Sequence, residues 1–403
     1  MTRAVVVTGI GVVSAFGRAF DDFWAGLAVG RSAIRPMTAV APGSLRFRNG
    51  GEVPEFSASD YFDHRDAAQL DRFSQLASVA AREAVSSAGL DLSGETSQRA
   101  AVVMGCCSGG KLSEDEQYCN FYKLGTERVA PLTIPRAMGN AAASQISREH
   151  NITGPVYAVS TACASGNHAI GQAFWLVRNG VADVALAGGS EAPFTLGYLK
   201  SWDAMRIVSP DTCRPFARDR RGLILGEGAA VLVLESADRA RARGATIWGE
   251  IAGFGMSSDA DHLTAPSAVG AARAMRRALA DAGQPEDAIG YINAHGTGTI
   301  ANDRCEAQAI REVFGAHTSK LMVSSTKSMH GHALGASAAL EAAATLGALH
   351  HGIIPPTANF TEPDPCCDLD VVPNAPRAAR VEWAMSNAFA FGGLNAVLVF
   401  RSI

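Results

Sequence analysis

Short apolar runs rich in valine, isoleucine and alanine alternate with longer alanine-rich runs along almost the whole chain. Apolar runs of four to eight β-branched residues favour strands, whereas longer runs with helical spacing favour helices. The predicted strands are residues 5–8, 101–104, 156–159, 184–187, 229–235, 291–293, 321–324 and 396–400. The predicted helices are residues 73–87, 169–179, 271–282, 305–314 and 336–350. This alternation predicts a layered α/β fold.

The chain divides coarsely into residues 1–250 and 251–403. Each part begins with a predicted strand, contains glycine-rich loops and ends in predicted strands. No proline- or serine-rich linker separates the two parts, so we expect one compact unit.

Composition excludes several classes of protein. A net charge of −4 argues against nonspecific nucleic-acid binding. No apolar run approaches the roughly 20 residues that span a bilayer, and the N-terminus reads as a strand rather than a signal peptide. The eight cysteines include two adjacent pairs and no Cys-x-x-Cys motif, so we expect free thiols in the cytoplasm.

A cysteine stands at the junction of a predicted strand and a predicted helix. Cys163 lies in the run VSTACASGNH, residues 159–168, among small side chains that would let a substrate carbonyl approach. A thiol at a helix N-terminus meets the positive end of the helix dipole, which favours the thiolate. The pattern suggests a nucleophile, and the alternative is a buried structural cysteine.

Three other loops follow strand-like runs and are rich in glycine or in polar residues. His295 lies in AHGTGT, Lys327 and His332 lie in SSTKSMHGHALG, and Phe391 precedes a Gly-Gly pair. A site assembled from distant segments has this appearance. The alternatives are a hydrogen-bonded loop histidine, a surface lysine and a core phenylalanine.

These four segments resemble the β-ketoacyl-acyl carrier protein synthases, the condensing enzymes of fatty acid and polyketide synthesis. The resemblance extends over essentially the whole chain and includes VVVTGIG at residues 5–11, GEG at 226–228 and FGMSSDA at 254–260. Within the family the chain looks like the elongating type II synthases, and closer still to the nodulation protein E branch. The resemblance implies a thiolase fold, which is a five-layered α-β-α-β-α sandwich of two similar halves.

The implied reaction is a decarboxylative Claisen condensation without a cofactor. An acyl group moves from acyl carrier protein to Cys163, and malonyl-carrier protein then loses carbon dioxide and attacks the thioester. The resemblance makes His295 and His332 hydrogen-bond donors to the enolate. It places the oxyanion hole at the backbone N–H groups of Cys163 and Phe391, with Phe391 also acting as a gate.

Other residues have supporting roles by the same resemblance. Lys327 is expected to pair with Glu341 and organise the site electrostatics. The other residues expected to bind substrate are Thr297, Thr299, Ser108, Trp202, Gly392 and Gly393.

Three positions depart from the family pattern. Ser108 stands where a bulky aliphatic residue is common, which predicts a wider or more polar channel mouth. Ala390 replaces a glycine before the gate, and Leu394 replaces a threonine after it. These departures put the acyl substrate in doubt rather than the reaction.

Expected partners follow from the family. Acyl carrier protein, loaded with acyl or malonyl groups, is acidic, and Arg65 and Arg206 could meet it. A homodimer is expected and a heterodimer is possible, with residues 131–143 lining part of the partner's acyl pocket. No metal is expected, because neither His330 with His332 nor the pair at 350–351 has carboxylates or cysteines at zinc spacing.

Two other functions stay open. A thiolase-type acyltransferase would have a second cysteine in the C-terminal glycine loop, and this chain has none there. A non-catalytic chain-length-factor-like partner would lack the nucleophile, whereas Cys163, His295 and His332 are all present.

Overall fold

A mixed sheet of ten strands organises the computed structural model, which describes residues 2–403. The strands are β1 (Val5–Val13), β2 (Ala100–Gly105), β3 (Val156–Val159), β4 (Val184–Glu191), β5 (Gly228–Ser236), β6 (Gly249–Ser258), β7 (Ile289–Asn293), β8 (Met322–Ser324), β9 (Trp383–Ala390) and β10 (Leu394–Arg401). Their order across the sheet is β3-β2-β4-β5-β1-β6-β10-β9-β7-β8. Two-residue strands pair separately, Arg35–Pro36 with Asn49–Gly50 and Ile353–Ile354 with Arg377–Ala378.

The sheet consists of two halves with the same internal order. In the first half, β2 is parallel to β3 and β4, and β5 is antiparallel to β4 and β1. In the second half, β7 is parallel to β8 and β9, and β10 is antiparallel to β9 and β6. Within residues 2–403, strand pairing connects the two half-sheets only where residues 5–7 of β1 pair with residues 249–251 of β6. Each strand of one half therefore has a topological equivalent in the other.

Helices occupy three layers around these half-sheets. Those of eight or more residues are α1 (Phe20–Leu27), α2 (Arg72–Ala88), α3 (Lys111–Tyr122), α4 (Ala141–Glu149), α5 (Ser165–Arg178), α6 (Leu196–Met205), α7 (Ala268–Ala282), α8 (Ile300–Phe314) and α9 (Ser337–His351). Shorter α-helices are His64–Ala67, Gly94–Gln98, Thr133–Ala137, Ala237–Ala242 and Lys327–His330. None of the helices in residues 2–403 is both long and apolar enough to cross a membrane.

Alternation of side chains along the strands builds the layers. In β2, Ala101 and Val103 face a central core shared with α5 and α9, whereas Val102 and Met104 face an outer core with α2 and α4. The second half-sheet shares the central core and covers its other face with α7 and α8. Because both sheet faces are buried, the strands are apolar throughout. The layers are thus α-β-α-β-α, as predicted.

All eight predicted strands and all five predicted helices are confirmed, most with longer bounds. Two strands, β6 and β9, and four helices, α1, α3, α4 and α6, are not among the predicted elements. β6 reads GEIAGFGMSS, and its glycines are required because a Cβ at Gly253 or Gly255 would lie 2.4 or 2.2 Å from a backbone oxygen of α7. Such glycines weaken the strand signal. The predicted division between residues 250 and 251 falls inside β6 and stays a prediction.

The topology brings the predicted site loops together. β2, β3, β7 and β8 run parallel to their neighbours, so their carboxyl ends lie at one edge of each half-sheet. The loops after β3 and β8 enter the central helices α5 and α9. These helices touch closely, since a Cβ on Gly166 would lie 2.6 Å from the backbone nitrogen of Ala339.

Candidate active site

A cavity of about 280 Å³ opens where these loops meet. Its wall includes eight of the predicted site residues, namely Cys163, Trp202, His295, Thr297, Thr299, His332, Phe391 and Gly393. Lys327 and Glu341 lie fully buried behind this wall, and Ser108 and Gly392 do not line it. The structure thus brings together the residues predicted to contact the reacting groups.

Cys163 sits on a tight turn between β3 and α5. The preceding residue, Ala162, has a left-handed φ of 48°, a conformation that costs energy for a residue with a Cβ. Ser165 Oγ stabilises the turn, because it accepts a hydrogen bond from the Thr161 N–H at 2.9 Å and donates one to the Ala162 carbonyl at 2.6 Å. The turn directs the thiol into the cavity ahead of the helix.

The thiol does not have the protonation state that its helix position suggests. Burial raises the pKa of Cys163 to about 12, although the nearby Lys327 ammonium lowers it. Loss of solvation is the largest cause of this shift, since a thiolate in a dry site forfeits its hydration. The shift runs against the thiolate expected from the helix position and favours the thiol at neutral pH.

His332 has its tautomer fixed by its neighbours. Its Nδ1 accepts a hydrogen bond from the backbone N–H of Leu334 at 3.1 Å and lies 2.7 Å from Ser337 Oγ. An amide N–H can only donate, so Nδ1 is unprotonated and the neutral ring has its hydrogen on Nε2. Burial and the charge of Lys327 hold the pKa of His332 well below its usual range. The ring is therefore a neutral donor at the cavity wall.

His295 has the same neutral tautomer, but a different contact fixes it. The Lys327 ammonium lies 3.3 Å from His295 Nδ1 and donates to the His295 carbonyl at 2.6 Å. An ammonium has no acceptor, so Nδ1 accepts and Nε2 bears the hydrogen. Burial and the Lys327 charge again hold the pKa of His295 well below normal. The two imidazole rings are perpendicular, with centroids 5.5 Å apart.

Lys327 and Glu341 form a fully buried ion pair. Burial raises the pKa of the Glu341 carboxyl, and the Lys327 ammonium opposes that shift. Such a pair is costly to desolvate, and here it supplies the donor that fixes His295.

The remaining predicted residues lie on the cavity wall or next to it. The hydroxyls of Thr297 and Thr299, both on the wall, are hydrogen-bonded to each other at 2.8 Å. Phe391 stacks on Trp202 with ring centroids 6.2 Å apart and an interplanar angle of 22°. Gly392 and Gly393 have φ of 81° and 69°, a left-handed pair that suits glycine. The Gly392 N–H donates to the Leu263 carbonyl at 2.7 Å, which connects the glycine pair to a neighbouring loop.

Ser108 is not among the residues that line this cavity, and its effect on the channel mouth stays a prediction. Its hydroxyl hydrogen-bonds the carboxylate of Glu191. Arg206, between the cavity-lining Met205 and Ile207, lies at the rim. Arg65 is exposed on the short helix His64–Ala67 and does not line the cavity.

Sequence reasoning missed a buried carboxylate that holds the His295 loop. Glu306, fully buried on α8, accepts the backbone N–H groups of His295 at 2.9 Å and Gly296 at 2.7 Å. Asn387 donates to the same carboxylate at 3.1 Å. The available signal was an acidic residue at the helical spacing of the buried side chains Ala307, Ile310 and Val313, in the helix that follows the glycine-threonine loop.

Three buried oxygens near the ion pair have no hydrogen-bond partner among the described residues. They are Glu341 Oε2, Asn293 Oδ1 and Ser386 Oγ. Asn293 and Ser386 are neighbours across β7 and β9, and Asn293 Nδ2 lies 3.4 Å from the Glu341 carbonyl. Hard oxygen donors of this kind could hold a cation. In residues 2–403, no group of three or more His, Cys, Asp and Glu side chains is arranged for a metal.

Comparison with known proteins identifies the family. Residues 2–240 match the N-terminal domain of beta-ketoacyl synthases and residues 248–361 match the C-terminal domain. Nodulation protein E of Rhizobium sp. (strain N33) is 48% identical over 403 residues, covering all of both chains. The 3-oxoacyl-[acyl-carrier-protein] synthase 2 of Synechocystis sp. is 42% identical, over 99% of this chain and 98% of the relative.

A solved structure described as the ishigamide ketosynthase/chain length factor gives a TM-score of 0.96 at 39% identity, over all of both chains. The likeness predicted from the motifs, including that to nodulation protein E, is confirmed. The chain belongs to the beta-ketoacyl synthase family of condensing enzymes and has their thiolase fold.

Proposed function

We propose that the chain condenses an acyl thioester with malonyl-acyl carrier protein, with loss of carbon dioxide. One observation supports this most: two buried neutral imidazoles, His295 and His332, have Nδ1 occupied and Nε2–H free to donate beside the Cys163 thiol. Two fixed donors suit an oxyanion that develops in a dry site. A general acid and a general base would need pKa values shifted apart, whereas the pKa values of both histidines are shifted in the same direction.

In the first step, Cys163 sulfur attacks the acyl carbonyl of the carrier-bound thioester. The bond between the carbonyl carbon and the carrier sulfur breaks, and the proton of the Cys163 thiol ends on that sulfur. The backbone N–H groups of Cys163 and Phe391 would hold the oxyanion. Because burial raises the pKa of Cys163 to about 12, we expect the thiol to lose its proton only as the thioester is attacked.

In the second step, the malonyl thioester loses carbon dioxide, and the electron pair of the broken bond becomes an enolate. His295 and His332 stabilise the enolate oxygen through their Nε2–H groups. The enolate carbon attacks the Cys163 thioester, which gives a β-ketoacyl thioester and returns the sulfur as a thiolate that takes up one proton. Thr297 and Thr299 would bind the pantetheine arm, and the loop of Phe391, Gly392 and Gly393 would move between the steps.

The chain is expected to act as a dimer on a carrier protein. Eight large apolar side chains between residues 118 and 138 are exposed, namely Tyr118, Phe121, Tyr122, Leu124, Val129, Leu132, Ile134 and Met138. An exposed apolar patch of this extent is typical of an interface. We propose a homodimer through this segment, with residues 131–143 reaching the partner's acyl pocket. We also propose that Arg206, at the rim of the cavity, contacts the acidic carrier protein.

All eight cysteines are free, so we propose a cytoplasmic location.

A heterodimer is the second candidate assembly. It is supported by the similar solved structure of the ishigamide ketosynthase/chain length factor, which names both kinds of subunit. In such a pair this chain would be the catalytic member, because it retains Cys163 and both histidines. The thiolase alternative has less support, since Phe391, Gly392, Gly393 and Leu394 include no second cysteine.

Intact-protein mass spectrometry with a panel of acyl-carrier proteins tests the proposal. We expect a covalent acyl adduct on the purified protein, its loss in Cys163→Ala, and its retention in Cys119→Ala, which removes an exposed thiol instead. The acyl chain that loads fastest would then define the substrate class. An adduct that survives Cys163→Ala would contradict the nucleophile assignment, and no adduct with any chain would favour the non-catalytic alternative.

A further inference from the structure

A second buried carboxylate joins loops from the two halves of the molecule. Glu191, the last residue of β4, is fully buried. Its Oε2 accepts the backbone N–H groups of Cys107 at 2.8 Å and Gly335 at 3.0 Å. Its Oε1 accepts the Ser108 N–H at 3.1 Å and also the Ser108 hydroxyl. Cys107 and Ser108 follow β2 of the first half, whereas Gly335 lies between β8 and α9 of the second.

Each oxygen of Glu191 accepts at least two hydrogen bonds, an arrangement that suits an ionised carboxylate. Three of the donors are backbone amides, which cannot reverse their direction. Each would lose its hydrogen-bond partner if Glu191 were lost. Glutamine at this position would present an NH₂ group to two of the donors.

The contact at Gly335 bears on the tautomer of His332. Gly335 follows Leu334, whose backbone N–H donates to His332 Nδ1 at 3.1 Å. Leu334 has a left-handed φ of 46°, which a leucine holds only when its surroundings enforce it. The hydrogen bond from Gly335 to Glu191 is the next contact along the chain that supports this turn. If the turn relaxes, Nδ1 loses the amide donor that fixes it as an acceptor.

We propose that Glu191 is a positioning residue for His332, which holds the Leu334 turn so that the imidazole keeps its hydrogen on Nε2. This inference rests on the proposed function, in which that hydrogen is donated to the enolate. Glu191 thereby has the role for His332 that Glu306 has for His295. The Ser108 hydroxyl is an additional donor to the same carboxylate, which explains why residue 108 faces Glu191 rather than the cavity.

Carbon dioxide release from malonyl-acyl carrier protein, measured beside acyl loading of Cys163, tests the inference. We expect Glu191→Gln to lower the decarboxylation rate by about ten- to a hundredfold, less than the roughly hundred- to thousandfold loss on removing an oxyanion donor outright, because the donor is displaced but still present. Acyl loading should fall by less than about threefold, because it does not use His332. In the double variant Glu191→Gln/His332→Ala, the decarboxylation rate should equal that of His332→Ala alone, because Glu191 acts through His332.

Glu83→Gln is the matched control. Glu83 on α2 also accepts two backbone N–H groups, from Val12 and Phe20 at 2.7 Å each, but it lies outside the active site. Its loss should lower stability without separating the two half-reactions. If Glu191→Gln slows both half-reactions equally, or adds fully to His332→Ala, the residue is only structural and the inference is wrong.

A second variant keeps the test decisive if Glu191→Gln does not fold. In Gly335→Ala the new Cβ would lie 2.5 Å from the Cys107 nitrogen and 2.7 Å from Glu191 Oε2, so the Gly335 contact must open while the carboxylate stays. The same selective loss of decarboxylation is expected, and normal decarboxylation would overturn the inference. If the wild-type protein releases no carbon dioxide, the proposed function fails instead, whatever the variants do.

Discussion

At the scale of residues, burial shifts the pKa values of Cys163, His295 and His332 in the directions that favour their uncharged forms. It raises the pKa of Cys163 and lowers the pKa values of His295 and His332, and Lys327 opposes the first shift while it reinforces the other two. The site therefore holds one thiol and two neutral imidazoles at neutral pH. Neutral rings are what hydrogen-bond donation to an enolate requires, because an imidazolium could transfer its proton instead.

The pH dependence of Cys163 alkylation follows from its raised pKa. With a pKa of about 12, the thiolate fraction is limited by pH throughout the range 7–9, so the iodoacetamide rate should rise about tenfold for each pH unit. Peptide mass spectrometry after timed alkylation would measure this rate, with the exposed Cys119 as an internal reference. A plateau below pH 9 would show that the helix dipole outweighs burial after all.

At the scale of elements, the contact between α5 and α9 sets the geometry of the site. α5 begins two residues after Cys163, and α9 begins five residues after His332. Both helices are buried in the central layer, and glycine at residue 166 permits their close approach. A shift of one helix would therefore move the thiol relative to the histidine.

Gly166→Val tests that dependence. The new side chain would start 2.6 Å from the Ala339 nitrogen, so we expect a loss of about 2–4 kcal/mol in stability and a fall in both half-reactions. Urea denaturation and the two rate assays would measure these effects. Ala280→Val, on the exposed face of α7, adds a valine without that contact and should cost less than about 1 kcal/mol. Equal effects of the two variants would show that the helix contact does not position the site.

At the scale of the whole molecule, the exposed apolar segment 118–138 predicts a dimer. Ile134→Asp should shift the purified protein from dimer to monomer in light scattering coupled to size-exclusion chromatography, because a carboxylate is costly to bury at an apolar contact. Val29→Asp alters an apolar side chain of similar exposure, 66% against 65% for Ile134, outside the segment and should leave the dimer intact. A wild-type monomer would instead favour an assembly that needs a different partner chain.

The sequence was sufficient for the site residues that belong to local motifs. Cys163, His295 and His332 each stand beside a strand and small residues, so their place follows from their neighbours along the chain. Glu191, Glu306 and the orientation of Ser108 depend on contacts between residues far apart in sequence, which no local pattern records. The raised pKa of Cys163 could not be predicted for a similar reason, because the depth of burial is a property of the assembled layers.

The equivalence of the two half-sheets has an evolutionary consequence. Cys163 follows β3 and precedes α5, and His332 follows β8 and precedes α9, which are matching places in the two halves. This arrangement is what duplication of one ancestral strand-helix unit would leave. On that account, one copy of the loop after the edge strand would have acquired the proposed nucleophile, and the other the proposed hydrogen-bond donor. The two chemical steps would thus descend from a single ancestral loop that diverged in each copy.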